Sequence, residues 1–213
     1  MTAAHAVRTF TDADRAPLRE VFRRAGEGAA TLPFGGHEES IWLIPYMDGE
    51  PQSLFVATVD GEIVGYLTGC VDSARMPSEE ERIYRLVAEQ RLYLRPATLR
   101  FFARSLSDTV RAGRGRSAST FADPAWPAHL HIRLVPRVRG HGLGSQLMNR
   151  WLDRLRELDS PGCHLQTEAE NTGALTFFER HGFLRHGDPV LIPGMRGSAG
   201  ERLHQQTMVW RCR

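Results

Sequence analysis

Three glycines stand at alternate positions in RVRGHGLGSQL, residues 137–147: Gly140, Gly142 and Gly144, interleaved with His141, Leu143 and Ser145 and preceded by Arg139. An amphipathic run follows, so the stretch reads as a turn that opens a helix. The first backbone N–H groups of a helix lack intrahelical partners and lie at the positive end of its dipole. Glycines let an anion approach that backbone closely, which suits a phosphate or pyrophosphate. A phosphate-loop NTPase needs Gly-Lys-Ser/Thr, and all 27 basic residues here are arginine. A dinucleotide fingerprint wants a glycine or alanine at the sixth position, where Ser145 (counting from Gly140) or Leu147 (from Gly142) stands. The remaining pattern is Arg/Gln-x-x-Gly-x-Gly/Ala, met by Arg139, Gly142 and Gly144. A glycine-rich turn with no ligand stays open beside it.

Other side chains suit proton chemistry. His129 and His131 share one face of the strand-like HLHIRLVP, and imidazoles titrate near neutral pH. They read either as proton acceptors or as hydrogen-bonded strand residues. As a metal pair they lack a third ligand at suggestive spacing, so no metal site is expected. Glu168 falls on the face of Gln166 in CHLQTEA and reads as a general base or as a surface carboxylate paired with an arginine. Phe101, Phe102 and Leu106 read as internal packing of a helical segment, and Arg114 and Arg116 as solvated loop charges open to an anionic ligand.

The elements that must position these groups follow from periodicity and turn chemistry. AVRTF reads as a strand, followed by a helix capped at Thr11 or Asp12 with Leu18, Val21 and Phe22 on one face. Residues 26–51 read as loop-like. SLFVATVDGEIVGYLTGCV is two β-rich runs about Asp60-Gly61, a two-residue hairpin signal. Two helical patterns part near Arg95-Pro96, and a breaker-rich loop leads to the strand over 129–135. After the glycine motif, Leu147, Trp151, Leu155 and Leu158 form the apolar stripe of a helix that Ser160-Pro161-Gly162 stops. CHLQTEA is a strand, and NTGALTFFERHG a short helix capped by Asn171 and ended by Gly182. Phe183 begins the next strand, and LHQQTMVWRC is a last one. The expectation is one α/β domain over 1–213, a mixed sheet with a helical insertion over 76–127 before the fourth strand.

Composition excludes several classes. A length of 213 residues supports one sizeable core. A net charge of +2 argues against nucleic acid as a main partner. No apolar run approaches membrane-span length, and MTAAHAVRTFTDADR lacks a signal-peptide pattern. Cys70, Cys163 and Cys212 are odd in number and scattered, as expected of free thiols in a reducing compartment, the cytoplasm.

Together, strand–Pro–RxxGxG–helix and strand–Asn–helix–Gly-Phe resemble the GCN5-related N-acetyltransferase (GNAT) superfamily, over roughly residues 129–185. The resemblance implies a sheet whose two central strands splay apart to admit acetyl-CoA. It implies that the backbone of Ile132, Arg133 and Leu134 pairs with pantetheine and that the N–H groups from Gly140 to Ser145 cradle the pyrophosphate. Asn171 would then contact the CoA arm and Phe178 lie beside the thioester. More narrowly, YMDGEPQSLFVATVDGEIVGYLTGCVD, the insertion and AHLHIRLVP resemble the acetyltransferase-like domain of animal O-GlcNAcases and its free-standing bacterial relatives.

The sequence departs from that pattern where chemistry is expected. The family's common proton donor to the thiolate is a tyrosine, and Phe178 stands there. Common glutamate positions fall on Gln166 and Ala128, and Arg133 stands where the O-GlcNAcase-like relatives often carry an aspartate. Glu168 and His129 are the remaining candidates for the base. Two functions follow: transfer of acetyl to an amine, small molecule or protein, by direct attack, or a pseudo-enzyme that binds acetyl-CoA as a sensor or interaction module.

Overall fold

The computed structural model describes residues 4–25, 33–113 and 117–212. Seven strands form one open mixed sheet in the order β1-β2-β3-β4-β5-β7-β6. They are β1 (His5–Thr9), β2 (Leu54–Val59), β3 (Glu62–Cys70), β4 (Ala128–Leu134), β5 (Gly162–Glu168), β6 (Leu184–Arg196) and β7 (Arg202–Arg211). The helices are α1 (Arg15–Ala25), α2 (Glu39–Trp42), α3 (Ile44–Gly49), α4 (Glu79–Glu89), α5 (Pro96–Ala112), α6 (Leu143–Glu157) and α7 (Thr172–Arg180). Neighbouring strands run antiparallel except β4 and β5, which are parallel. This is the α/β GNAT-type arrangement that the sequence predicts.

Local chemistry accounts for the boundaries. Asp60 and Gly61 take φ of 49° and 84°, the two left-handed positions of a tight hairpin between β2 and β3. Leu18, Val21 and Phe22 are buried on α1, and Leu147, Met148, Trp151 and Leu155 on α6. Trp151 packs so closely on Gly69 of β3 that no Cβ would fit there, which fixes how α6 lies on the sheet. The main core joins these residues to Leu67, Leu130, Phe178 and Phe183. A second cluster, Phe34, Ile41, Leu86, Val87 and Leu92, ties α2 to α4.

Several expectations need correction. Residues 39–49, read as loop, form α2 and α3; their turns are too short for periodicity to register, and burial of Ile41, Leu43, Tyr46 and Met47 stabilises them instead. Phe101 and Phe102 do pack at the edge of the second cluster, but Leu106 is 67% exposed and packs nothing internally. Leu158 is likewise exposed, because α6 ends at Glu157 and Leu158 is its C-cap. Arg114 and Arg116 lie outside the described residues.

The insertion between β3 and β4 supplies α4 and α5. Near its C-terminus α5 is anchored to β6 by Asp108, which is fully buried. Its carboxylate accepts from Arg196 Nη1 and Nη2 at 2.7 and 2.9 Å and from Gly194 N–H at 3.0 Å. Gly194 has φ of 80°, and a Cβ there would strike Ser105 and Phe101.

At the other edge, Asp14 organises the entry to α1. It accepts from both Arg8 guanidinium nitrogens at 2.6 and 2.7 Å, and from the Thr11 N–H and hydroxyl at 2.8 and 2.9 Å. The Arg8 hydrogen bonds hold this carboxyl down at about 2. A carboxyl depressed in the folded state stabilises the fold above its unfolded value, near 3.9, and loses that contribution as pH falls through the folded value. Asp14→Asn is therefore expected to cost about 2 kcal/mol at neutral pH and to flatten the loss of stability between about pH 4 and pH 2. Denaturant titrations across pH check this, and parallel acid limbs for the two proteins would contradict it.

Candidate functional site

The site begins where β4 and β5 part. They pair only at Ala128–Cys163 and His129–His164, and from Leu130 onward β4 has no partner on that side. The backbone groups of Ile132 and Leu134 therefore face the gap toward β5, whereas Arg133, opposite Tyr66, turns its N–H and C=O to β3. Just beyond, a short turn over Pro136–Val138 leads to the glycines.

Gly140 and Gly142 take φ of 82° and 81°, the left-handed region that glycine enters without strain, and nothing lies within 4 Å of where their Cβ atoms would be. Gly142 is the N-cap of α6. Gly144 has a different role: a Cβ there would lie 3.3 Å from Phe177 of α7 and 3.5 Å from Leu134, so glycine lets α6 seat against both. Gln146 N–H bonds to Gly142 O at 3.1 Å. Among the described residues no backbone N–H from Gly140 to Ser145 donates to a backbone carbonyl. The result is a turn of backbone N–H donors with no backbone partner at the start of α6, a feature that suits an anion. Arg139 donates to Leu134 O at 3.3 and 3.4 Å, and His141 Nδ1 lies 3.0 Å from Arg139 O, so both side chains hold the turn.

Asn171 caps α7, its Oδ1 accepting from Ala174 N–H at 3.0 Å. Phe178 lies on the same helix, buried between Phe177 and Phe183 with ring centroids 5.3 and 5.9 Å away.

The opposite face of β4 carries His129, His131 and Arg133. Its neighbours across the pairing to β3 are Cys70, Thr68 and Tyr66. Helices α1 and α3 pack on this face, and His129 and His131 are partly buried beneath them. Tyr46 of α3 places its hydroxyl 2.7 Å from His129 Nε2 and 3.0 Å from His131 Nε2. Ser73 Oγ lies 2.7 Å from His129 Nδ1 and donates to Pro127 O at 2.7 Å.

These contacts assign every proton when both rings are neutral. The single Ser73 proton goes to Pro127 O, so Ser73 Oγ accepts from His129 Nδ1–H. His129 Nε2 is then a bare lone pair that accepts from the Tyr46 hydroxyl. Tyr46 oxygen in turn accepts from His131 Nε2–H. His131 Nδ1 is left as the open lone pair of the chain. Burial, with neighbouring His131, His164 and Arg82, holds His129 well below the usual imidazole range. Burial with Arg82, Arg133 and His164 brings His131 to about 3, and burial pushes Tyr46 up to about 12. The chain is neutral at physiological pH.

On β5, Gln166 Nε2 donates to Ser119 O at 3.1 Å and holds the returning end of the insertion over the strand. That structural task explains an amide where a base is common. Glu168, half-buried two residues along, is raised by burial and by Glu170. His164 Nδ1 is bonded to Trp126 O at 2.8 Å. Sequence reasoning missed Tyr46, Ser73 and Arg82. None of the three is singled out by residue type or spacing, and each meets β4 only through the fold. Among the described residues no three metal-ligating side chains cluster as a metal site, and no helix is long and apolar enough to cross a membrane.

Comparison with known proteins bears on the family and the fold. The model of the acetyltransferase (GNAT) family matches residues 16–183. A structure described as SsHAT is 22% identical, with each chain covered to 98% and a TM-score of 0.62. The YncA putative acetyltransferase of Salmonella typhimurium, solved with its cofactor acetyl-CoA, is 13% identical over 98% of this chain and 94% of its own, with a TM-score of 0.59. A GCN5-related N-acetyltransferase from Kribbella flavida is 18% identical, with 98% of each chain covered and a TM-score of 0.57. At these identities the solved structures speak for the fold alone.

Proposed function

From the chain's membership of the acetyltransferase (GNAT) family, we propose that it transfers acetyl from acetyl-CoA to an amine by direct attack, at the opening between β4 and β5. The observation that carries this is the run of unpaired N–H groups from Gly140 to Ser145, set beside the point where β4 leaves β5. Those groups bind the pyrophosphate, and the open edge of Ile132 and Leu134 pairs with pantetheine. Asn171, whose Oδ1 is committed to its own helix, offers its amide N–H to the CoA arm. When bound, acetyl-CoA supplies a thioester carbonyl to which the amine nitrogen bonds as the carbon–sulfur bond breaks.

The residues then have to manage protons. Glu168 is the half-buried carboxylate on the β5 face, and its raised affinity for protons suits a base that takes the ammonium proton through water. Both ring nitrogens of His129 are committed, so any proton entering the β4 chain does so at His131 Nδ1. Phe178 has no proton to give, so the thiolate leaves unaided or takes its proton from water. A thiol near 8.5 makes that tolerable close to neutral pH.

The whole chain, 1–213, reads as one catalytic domain. Its three free cysteines fit a reducing compartment, the cytoplasm. The narrower likeness to the O-GlcNAcase-attached domain rests on sequence stretches alone, and the binding-only alternative rests on the missing proton donor at Phe178. The test is thiol release from acetyl-CoA against a panel of amines, beside a calorimetric titration of acetyl-CoA. Binding without release on every amine would overturn transfer. With an accepted amine, Phe178→Tyr is expected to raise turnover by about tenfold or more, toward the 10²–10⁴ typical of a placed proton donor. Affinity for acetyl-CoA should stay nearly constant, because the ring keeps its packing. An unchanged rate would show that protonation of the thiolate does not limit this protein.

A further inference from the structure

Arg82 stands out among the arginines. It is 8% exposed, yet no described carboxylate forms a salt bridge with it. Its Nη1 donates to Met76 Sδ at 3.3 Å, a weak acceptor, the guanidinium lies close enough to the Tyr46 hydroxyl to favour its ionised form, and its Nε is buried with no partner. Elsewhere this chain pairs its enclosed charges: Asp108 takes Arg196, and Asp14 takes Arg8. An enclosed guanidinium carries a desolvation cost that a weak sulfur acceptor does not offset.

Its surroundings add to the imbalance. The Arg82 guanidinium lies 5.4 Å from the Tyr46 ring centre, on the face of β4 that carries His129 and His131. Arg133, on the same face, stacks 4.4 Å over Phe22 and 6.0 Å from Trp42, and it too has no salt bridge to a described carboxylate. The titratable neighbours are His129, His131, Tyr46, Cys70 and Glu79. The first four are neutral here. Glu79, three residues before Arg82 on α4, sits beside Trp42, and burial raises it toward its uncharged form. This region therefore holds two arginines against one acidic side chain, Glu79, whose carboxyl burial raises and Arg82 lowers.

We propose that this recess is the acceptor subsite and that it takes an amine bearing a carboxylate, with Arg82 as the counter-ion and Arg133 as a second cation. The inference rests on the acetyltransferase reading. The carboxylate would restore the missing charge partner and hold the amine on the side of β4 where His131 Nδ1 is open. Arg82 is then a charge kept for a ligand at the expense of the unliganded fold.

The test uses melting temperatures of the full chain and of Arg82→Met, with succinate as probe and sodium chloride at equal ionic strength as control. Without succinate, Arg82→Met should melt at or above the wild type, since a methionine of similar length removes an unpaired enclosed charge. Succinate should raise the melting temperature of the wild type more than chloride does, and this excess should vanish in Arg82→Met. A lower melting temperature for Arg82→Met, or failure to fold, would mean that the charge serves the fold through Glu79 and would overturn the proposal. An equal succinate response in both proteins would assign the anion to the glycine turn and overturn it too. Neither measurement uses acetyl-CoA. Absence of thiol release on every amine would therefore sink the transfer reading while leaving this binding result to stand or fall by itself.

Discussion

Gly142→Asp is expected to lower the affinity for acetyl-CoA by about 100-fold or more. Hydrogen bonds from neutral donors to a charged acceptor contribute about 1.5–3 kcal/mol each, and the loss of one or two reaches that range before charge repulsion is counted. The aspartate would occupy space that is now empty to 4 Å and set a negative charge where phosphate approaches the helix start. Position 142 also has φ of 81°, which costs any non-glycine residue roughly 1–2 kcal/mol in backbone strain. Gly142→Ala carries that strain without the charge and is the required control. The expected order of affinity in calorimetry is wild type, then Gly142→Ala, then Gly142→Asp. Equal affinity for all three would remove the pyrophosphate from this turn.

Asp108→Ala is expected to cost about 3–5 kcal/mol, the range for breaking a buried ion pair by deleting one partner. The substitution leaves Arg196 facing an apolar gap, orphans the Gly194 N–H and releases α5 from β6. The Arg196 hydrogen bonds hold the Asp108 carboxyl below the usual carboxylate range. Its contribution is therefore present above the unfolded value near 3.9 and fades as pH falls below it, so the wild type and the variant should converge in stability in acid. Denaturant unfolding at neutral and acid pH measures both effects. A loss under about 1 kcal/mol at neutral pH, the scale of an exposed pair, would show that the insertion is held mainly by its apolar contacts.

Much of the fold was legible because its signals are local. Asp60-Gly61 specifies its hairpin by the two left-handed positions that only such residues take easily. Leu18, Val21 and Phe22 mark α1, and Leu147, Trp151 and Leu155 mark α6, because three or four residues bring a side chain back to the same face. The short helices α2 and α3 were not legible. Six residues or fewer carry too little periodicity, and what keeps them helical is burial against β-strands and α4 that are distant in sequence. The length of β6 was hidden in the same way. Its Gly-Asp-Pro and Ile-Pro-Gly stretches look like breakers, yet pairing with β7 accommodates them through shifts of register.

The candidate site divides along the same line. The sequence alone determined the glycine turn at the start of α6. Arg139, Gly142 and Gly144 fall within one six-residue stretch, and the properties that matter, positive φ at Gly142, absence of Cβ and unpaired N–H groups at a helix start, belong to the chain itself. Tertiary structure alone decided the face across β4. Tyr46, Ser73, Arg82 and His129 come from four separate segments, and no spacing between them carries information. His129 looks like a free base in the strand HLHIRLVP, but packing fills both of its nitrogens and passes the open lone pair to His131. Arg82 looks like one more helix-surface charge in EEERIYRLVAE, and only the approach of α4 to α3 encloses it. Desolvation and hydrogen-bond partners arise when distant segments meet, so the chemistry on that face could not be read before the fold was known.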